Sequence, residues 1–450
     1  MLSKYKKYSN YDLEQQEYYQ SLLVKYNIND KYRDKHWIYC IKDFNMSPKR
    51  GFKIHLSATL LNAIQVAELF LEFVKKEKVS INFKILTNLN ELVLQNSGIY
   101  GYSQVGKFIT IYPNNSSELT YYLNKLEKVY KGLTSVAIPS DFRFKLSEIV
   151  FYRYGEFIRD PEFSDKRNKK IPDNVKVPID DYFRKRFDSI PKKYIILEVI
   201  RKNAKGGVYK VLNTDSKSIS ILKEATYLSL IDFTNTDSID RLMNEKAILL
   251  DIQRERIVPK VLADFYVKNS YFLELEYIEG DSLLNHYKEK QNLSWFPKLL
   301  DFLEIFNEKY GYLYRDLSFD NIIANKNGDI FIIDFEYAIN RKNFKFVDKV
   351  PLFGTPGFYE TDLDSYRETN EDILGLVYLL FWSQNIADYQ SFKELGYLDA
   401  ITYMTEFKKE HFKKIDKGQR FYKIYEKAFN YKYDSFSELR ADFRELMCGK

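Results

Sequence analysis

Three side chains suited to handling phosphate stand on one short stretch, YRDLSFDNIIANKNGDIFIIDFEYA: Asp316, Asn321 five residues later, and Asp334 thirteen residues after that. Phosphoryl transfer asks for such a set: a carboxylate beside the acceptor hydroxyl, an amide oxygen for a divalent cation, and a second carboxylate bridging that cation to the phosphates. Upstream, Lys223 in SILKEA follows Gly206-Gly207-Val208 by fifteen residues. That is the length a hairpin takes from a phosphate-cradling turn to a lysine-bearing strand. Glu245, in LMNEKAILL, falls on a helical pattern and suits an ion pair with the lysine.

In register, these marks resemble the protein kinases over about residues 190 to 450. The resemblance implies a nucleotide site formed by Gly206, Gly207, Lys223, Glu245 and Glu276, the last in the hinge-like ELEYIEGDS. It further implies Mg²⁺ on Asn321 and Asp334, ATP or GTP as donor, and Asp316 orienting the substrate hydroxyl. GTPGFYE, ending in Glu360, resembles the end of an activation segment, and Asp372 opens the apolar helix ILGLVYLLFW. The chain departs from the pattern at Tyr314, where a histidine is usual, and at Glu336, where a glycine is usual. Neither position supplies a metal ligand or base, so altered switching is expected rather than lost chemistry. RKNAKGGVYKV keeps only the last of three motif glycines, Gly206, which predicts a looser phosphate cradle. No Ser or Thr lies between Asp334 and Gly354, which argues against control by phosphorylation there.

A second constellation occupies the first third. GFKIHLSAT alternates as a strand does, with Lys53 and His55 on one face and Ile54 opposite. INFKILTN adds Lys84, GKFITIYP adds Lys107, and DFRFKLSEIVFYRYGEF adds Arg143, Lys145 and Arg153. No acidic cluster matches these cations, so a pocket lined by them should attract an anion, most simply phosphate. Taken singly, Lys53 and Lys107 read as solvated or core-satisfied lysines.

KIHLSAT, FKILTN, GKFITIYP and YRYGEF, between about 50 and 157, resemble the N-terminal lyase domain of class III lanthipeptide synthetases. That domain is related to the effector phosphothreonine lyases, and a kinase domain with DLSxxN and IDFE follows it, as DLSFDN and IIDFE do here. The resemblance implies an α+β chain: a phosphothreonine-lyase-like domain at 1–160, a linker at 161–189, a kinase N-lobe at 190–279 and a C-lobe at 280–450. It also implies a bifunctional dehydratase of a ribosomal precursor peptide with a leader segment. The kinase half phosphorylates Ser or Thr. The lyase half then eliminates phosphate, with Lys84 as base for the Cα proton and His55 as acid for the leaving phosphate. Lys53, Lys107, Arg143 and Arg153 would clamp that phosphate, with Lys145 and Arg159 as alternatives for the two arginines. The family's cyclase domain has no counterpart, so no zinc is expected; either the chain is a truncated form or a separate cyclase closes any rings. Rival expectations are an active kinase with a phosphopeptide-binding N-terminal module, a secreted phosphothreonine-lyase effector, and a catalytically silent scaffold.

Composition suits a cytoplasmic enzyme of two or three compact units. At 450 residues the chain exceeds one core. Two cysteines, Cys40 and Cys448, form no disulfide framework. MLSKYKKYSNYDLEQQ lacks an apolar signal region, and no run reaches membrane-span length. A net charge of +6, from 69 basic and 63 acidic residues spread along the chain, gives no nucleic-acid surface. SDKRNKKIPDNVKVP, with Pro172 and Pro178, reads as the linker between halves.

Overall fold

The structure, a computed structural model, describes residues 2–28, 31–41, 49–77, 81–157, 171, 172, 175, 190–231, 236–340, 354–359, 371–407 and 411–448; of these, the side chains of 2–13, 398 and 405 are outside the description. Glu360, Arg159 and most of the 161–189 stretch lie outside the described residues.

The first part is an antiparallel sheet of β1 (Trp37–Cys40), β2 (Arg50–Ser57), β3 (Asn82–Leu86), β4 (Lys107–Tyr112), β5 (Phe142–Arg143) and β6 (Val150–Glu156), in the order β1-β3-β4-β2-β6-β5. Its core face holds Ile54, Leu56, Phe83, Ile85, Ile109 and Ile111, all buried. Helices α2 (Ala63–Glu77) and α4 (Ser116–Val129) cover that face because their apolar residues recur every three or four positions. Ala63, Val66, Ala67, Phe70 and Leu71 are buried from α2, and Leu119, Tyr122, Leu123 and Leu126 from α4. The Phe70 and Phe83 rings meet edge-on at 4.9 Å. Helix α1 (Leu2–Lys25) adds Tyr19, Leu22 and Leu23 to the same core, and α3 (Leu89–Asn96) starts on Asn88, whose side chain accepts from the Glu91 amide.

The second part begins with an antiparallel sheet of β7 (Tyr194–Asn203), β8 (Gly206–Asn213), β9 (Ser218–Thr226), β10 (Val261–Val267) and β11 (Ser270–Glu276), in the order β10-β11-β9-β8-β7. Helix α5 (Ser238–Asp251) packs on it, opened by a reciprocal cap between Asp237 and Asp240. A mainly helical lobe follows: α6 (Leu283–Lys290), α7 (Trp295–Glu308), α8 (Glu371–Gln384), α9 (Ile386–Lys393), α10 (Tyr397–Glu406), α11 (Tyr422–Phe429) and α12 (Phe436–Cys448). Helix α8 is apolar all round and is buried from Asp372 to Ser383, as a central core helix must be. Both parts mix helix and sheet, so the α+β expectation holds.

The two parts share packing. Leu228 and Ile231, just after β9, enter the core of the first sheet. Burying each is worth on the order of 1.5–3 kcal/mol. Ala204, between β7 and β8, packs with Val105 and Val136. Ile171 and Val175, from the stretch expected to be linker, also pack against the first core. No helix among the described residues is long and apolar enough to cross a membrane.

Candidate functional site

In the second part, β9 aims Lys223 at α5. Its Nζ lies 2.7 and 2.9 Å from the two Glu245 oxygens and 2.9 Å from Asp334 Oδ1. Burial opposes the charge on Lys223, but Asp334 and Glu245 outweigh it and hold the ammonium pKa above its ordinary value. Burial also opposes ionisation of Asp334, yet Lys223 and Lys205 hold it well below the usual carboxylate range. Asp316 behaves differently: burial, then the neighbouring Asp334 carboxylate, pushes it up to about 7. Asp316 Oδ1 accepts from the Thr355 amide at 2.8 Å and its hydroxyl at 3.0 Å, while Oδ2 accepts from Asn321 Nδ2 at 3.0 Å. Asp372, on the first turn of α8, accepts the Tyr314 and Arg315 amides at 2.9 Å each, fixing the backbone just before Asp316. Arg315 (φ 68°) and Asp334 (φ 67°) both adopt the left-handed region, so backbone strain gathers where the three phosphate-handling residues converge.

The turn above them is tight. Strands β7 and β8 pair up to Asn203 and Gly206, leaving only Ala204 and Lys205 between. Gly206 has φ 151°, and a Cβ there would lie 1.9 Å from the Glu224 carbonyl oxygen, so the position requires glycine. Lys205 forms an ion pair with Glu336, closing the turn over the Asp334 segment. The Glu276 side chain faces Lys260, whose amide it accepts at 3.3 Å, and the Glu276 amide donates in turn to the Lys260 carbonyl at 2.9 Å.

In the first part, strand register runs Tyr39, Lys84, Thr110, His55, Phe151, Arg143 in one row across the sheet, on the face opposite the core. Lys53 and Arg153 are paired neighbours one step along. Lys107 would point to the core face by simple alternation. An irregularity between Leu56 and Ser57 inserts Phe108 and turns Lys107 to the cationic side. At the centre is a buried carboxylate that sequence reasoning missed. His55 Nδ1 is hydrogen-bonded to Asp141, and Lys107 Nζ lies 3.8 Å from the other Asp141 oxygen. Burial opposes ionisation of Asp141, but His55 and Lys107 hold it well below the carboxylate range. An ionised carboxylate only accepts, so Nδ1 carries the ring proton and Nε2 is left to meet a ligand. Burial pushes His55 down to about 3, Asp141 offsetting only part of this and Lys107 and Lys53 adding to it. The ring is therefore neutral in the free protein. Lys84 Nζ sits 4.0 Å from the Trp37 ring centroid and 5.7 Å from that of Tyr39.

Residues 24–178 match the family model described as RamC, N-terminal domain, and residues 194–362 match the protein kinase domain. This chain joins a RamC N-terminal domain to a protein kinase domain. It is similar to the probable SapB synthase of Streptomyces coelicolor, 25% identical over 334 residues that cover 65% of this chain and 35% of that protein. It is also similar to the mouse Citron Rho-interacting kinase, 25% identical over 202 residues (43% of this chain, 9% of that protein). The protein kinase C of Aspergillus fumigatus is 28% identical over 167 residues (35% of this chain, 15% of that protein). The chain thus spans about a third of the first of these relatives and less of the others.

Within the kinase domain, Lys223, Glu245, Asp316, Asn321 and Asp334 converge, under the turn that carries Gly206 and Gly207. Within the RamC N-terminal domain, Lys53, His55, Lys84, Lys107 and Arg153 share one face. Arg143 is on the rim, exposed, with Glu148 3.9 Å away. Lys145 leaves the cluster to donate to Asn124 of α4 at 2.8 Å. Asp141 follows Ser140 in a loop, IPSDFRF, with no periodicity to mark it. A lone aspartate next to a cationic strand was the only signal available.

Proposed function

We propose that the chain is a bifunctional dehydratase that phosphorylates Ser or Thr of a ribosomal precursor peptide from ATP or GTP and then eliminates the phosphate, as in lanthipeptide biosynthesis. The observation that carries the reading is a buried cationic sheet face with an aspartate-held histidine, in one chain with a formed Lys223–Glu245–Asp334 network. Asn321 and Asp334 offer hard oxygen donors suited to Mg²⁺, and the low pKa of Asp334 keeps it ready as a ligand. Among the described residues no group of three or more His, Cys, Asp or Glu is placed to hold a metal. A site of one carboxylate and one amide leaves the remaining ligands to phosphates and water. The metal would neutralise charge on the transferring phosphoryl group. Lys223 would hold the nucleotide phosphates, and Asp316 would orient and receive the proton of the acceptor hydroxyl.

In the elimination, Lys84 Nζ takes the Cα proton, the Cα–H electrons form the Cα=Cβ bond, and the Cβ–O bond breaks toward phosphate. His55 protonates the departing oxygen through Nε2. The phosphate dianion favours the imidazolium, which raises His55 from its low value when substrate arrives. Lys84 and His55 are two strands apart, roughly 10 Å between backbones, so a phosphoserine can lie between them. Lys53, Lys107 and Arg153 then hold the charge that moves onto phosphate.

The test is the mass of a Ser-rich precursor peptide incubated with the chain, Mg²⁺ and ATP. Gain of phosphate followed by net loss of water is expected. Gain of phosphate alone, with a synthetic phosphopeptide also left intact, would reduce the N-terminal domain to a phosphopeptide-binding module.

A further inference from the structure

A cavity of about 560 Å³ opens on the acceptor side of the kinase cleft, and its lining comes from both domains. Asp316, Asn321 and Asp334 line it, and so do Leu94 and Ile99, from the end of α3 and the turn after it. The domains meet here through several contacts. A Cβ at Gly98 (φ 83°) would lie 3.2 Å from the Ala204 Cβ, and Ala204 also packs with Val105 and Val136. The same end of α3 is tied to its own sheet: Gln95 donates to the Lys107 carbonyl, and Asn96 donates to the Ala58 carbonyl and accepts the Gly106 amide at 2.9 Å each. A helix end pinned on both sides holds the half-buried Leu94 and Ile99 in place on the wall of the cavity that also contains Asp316.

We propose that Leu94 and Ile99 of the RamC N-terminal domain are specificity residues of the kinase, forming the wall that contacts an apolar side chain next to the acceptor Ser or Thr. The inference rests on the kinase reading above. Its occupant follows from continuity with the catalytic residues: a peptide that brings a hydroxyl to Asp316 enters the cavity that Val93, Leu94 and Ile99 line together with Leu230 and Ile231. A neighbouring apolar residue gains by burial against Leu94 and Ile99, whereas an acidic one loses hydration against them and has only Arg201 and Lys205 elsewhere on the lining to turn to.

The experiment measures phosphorylation of a peptide series in which the residues flanking one Ser are Leu, Gly or Asp, by the full chain and by Ile99→Ala, Leu94→Ala and Ile99→Val. The wild-type chain is expected to favour the Leu-flanked peptide. Ile99→Ala should raise KM for that peptide about tenfold, with kcat and the KM for Mg-ATP little changed, and Ile99→Val should stay near wild type. Equal preference across the series, or Ala variants that keep the wild-type KM, would overturn the wall. A wild-type chain that binds Mg-ATP but phosphorylates no peptide would overturn the kinase reading itself, and the wall with it.

Discussion

Replacing Asp141 with Asn should separate the two activities, and the size of the effect follows from distances. Asp141 lies 3.8 Å from Lys107 Nζ and nearer still to His55 Nδ1. At an effective dielectric constant near 20, a unit charge pair at that distance is worth about 4 kcal/mol. The imidazolium that donates its proton to the leaving phosphate would lose stabilisation of that order, and Asn can also present its amide group to Nδ1 and select the wrong tautomer. Elimination from a pre-phosphorylated peptide should therefore slow roughly thousandfold. Lys107, with the Asp141 charge gone from beside it, should hold phosphate at least as well, so phosphopeptide affinity stays level or rises while turnover collapses. Phosphorylation by the same preparation is the folding control, since the buried Lys107–Asp141 ion pair is broken and the N-terminal domain should lose on the order of 3–5 kcal/mol. The assay follows phosphopeptide and dehydrated product by mass. Elimination within tenfold of wild type, with phosphorylation intact, would remove His55 from the role of acid.

Asp334→Asn should stop phosphorylation while leaving elimination from a synthetic phosphopeptide intact, because Asp334 belongs to the second site alone; loss of both activities in a folded protein would refute separate sites. Gly206→Ala should raise KM for nucleotide by an order of magnitude or more and lower Tm, since the added Cβ would sit 1.9 Å from the Glu224 carbonyl oxygen; unchanged nucleotide titration would refute the tight-turn reading. The pH dependence of stability has a definite sign. His55 is lowered from 6.5 to about 3, so the unfolded chain binds a proton that the folded chain refuses, and stability falls as pH drops from about 6.5 toward 3. Asp141, also lowered, adds to the acid side. Tm measured against pH should fall less steeply for His55→Gln than for wild type; parallel curves would refute the burial of a neutral His55.

Local spacing made the kinase triplet legible, because Asp316, Asn321 and Asp334 lie within one hairpin-sized stretch whose geometry is set by nearby turns. Lys223 and Glu245 were legible for a similar reason: a strand and a helix carry them, and both elements have readable periods. The cationic face was legible in part. Alternation placed Lys53 and His55 together, but Lys107 joins them only through the bulge opposite Leu56 and Ser57, which alternation does not encode. Asp141 could not be found this way. It is 86 residues from His55 in sequence, and its partnership depends on how a loop closes over the sheet. The shared packing of Leu228, Ile231 and Ala204 was equally hidden, since each reads as an ordinary apolar residue of its own part.

The two departures from the kinase pattern find partners within the fold. Tyr314, where histidine is usual, is fully buried, donates its hydroxyl to the Ile333 carbonyl and meets the Phe335 ring at 5.1 Å. One side chain therefore ties the segment before Asp316 to the segment that carries Asp334, a link that needs a hydrogen bond and an aromatic edge but no titrating group. Glu336, where glycine is usual, pairs with Lys205 in the turn above. That turn has lost two motif glycines and with them the freedom to drape amides around phosphate, so a lysine held at its tip by Glu336 supplies charge where backbone donors are few. Glu336 and Lys205 thus explain each other. The glycine is dispensable at 336 because the left-handed residue of this segment is Asp334, two positions earlier, and an acidic side chain is useful there because the turn brings Lys205 to meet it.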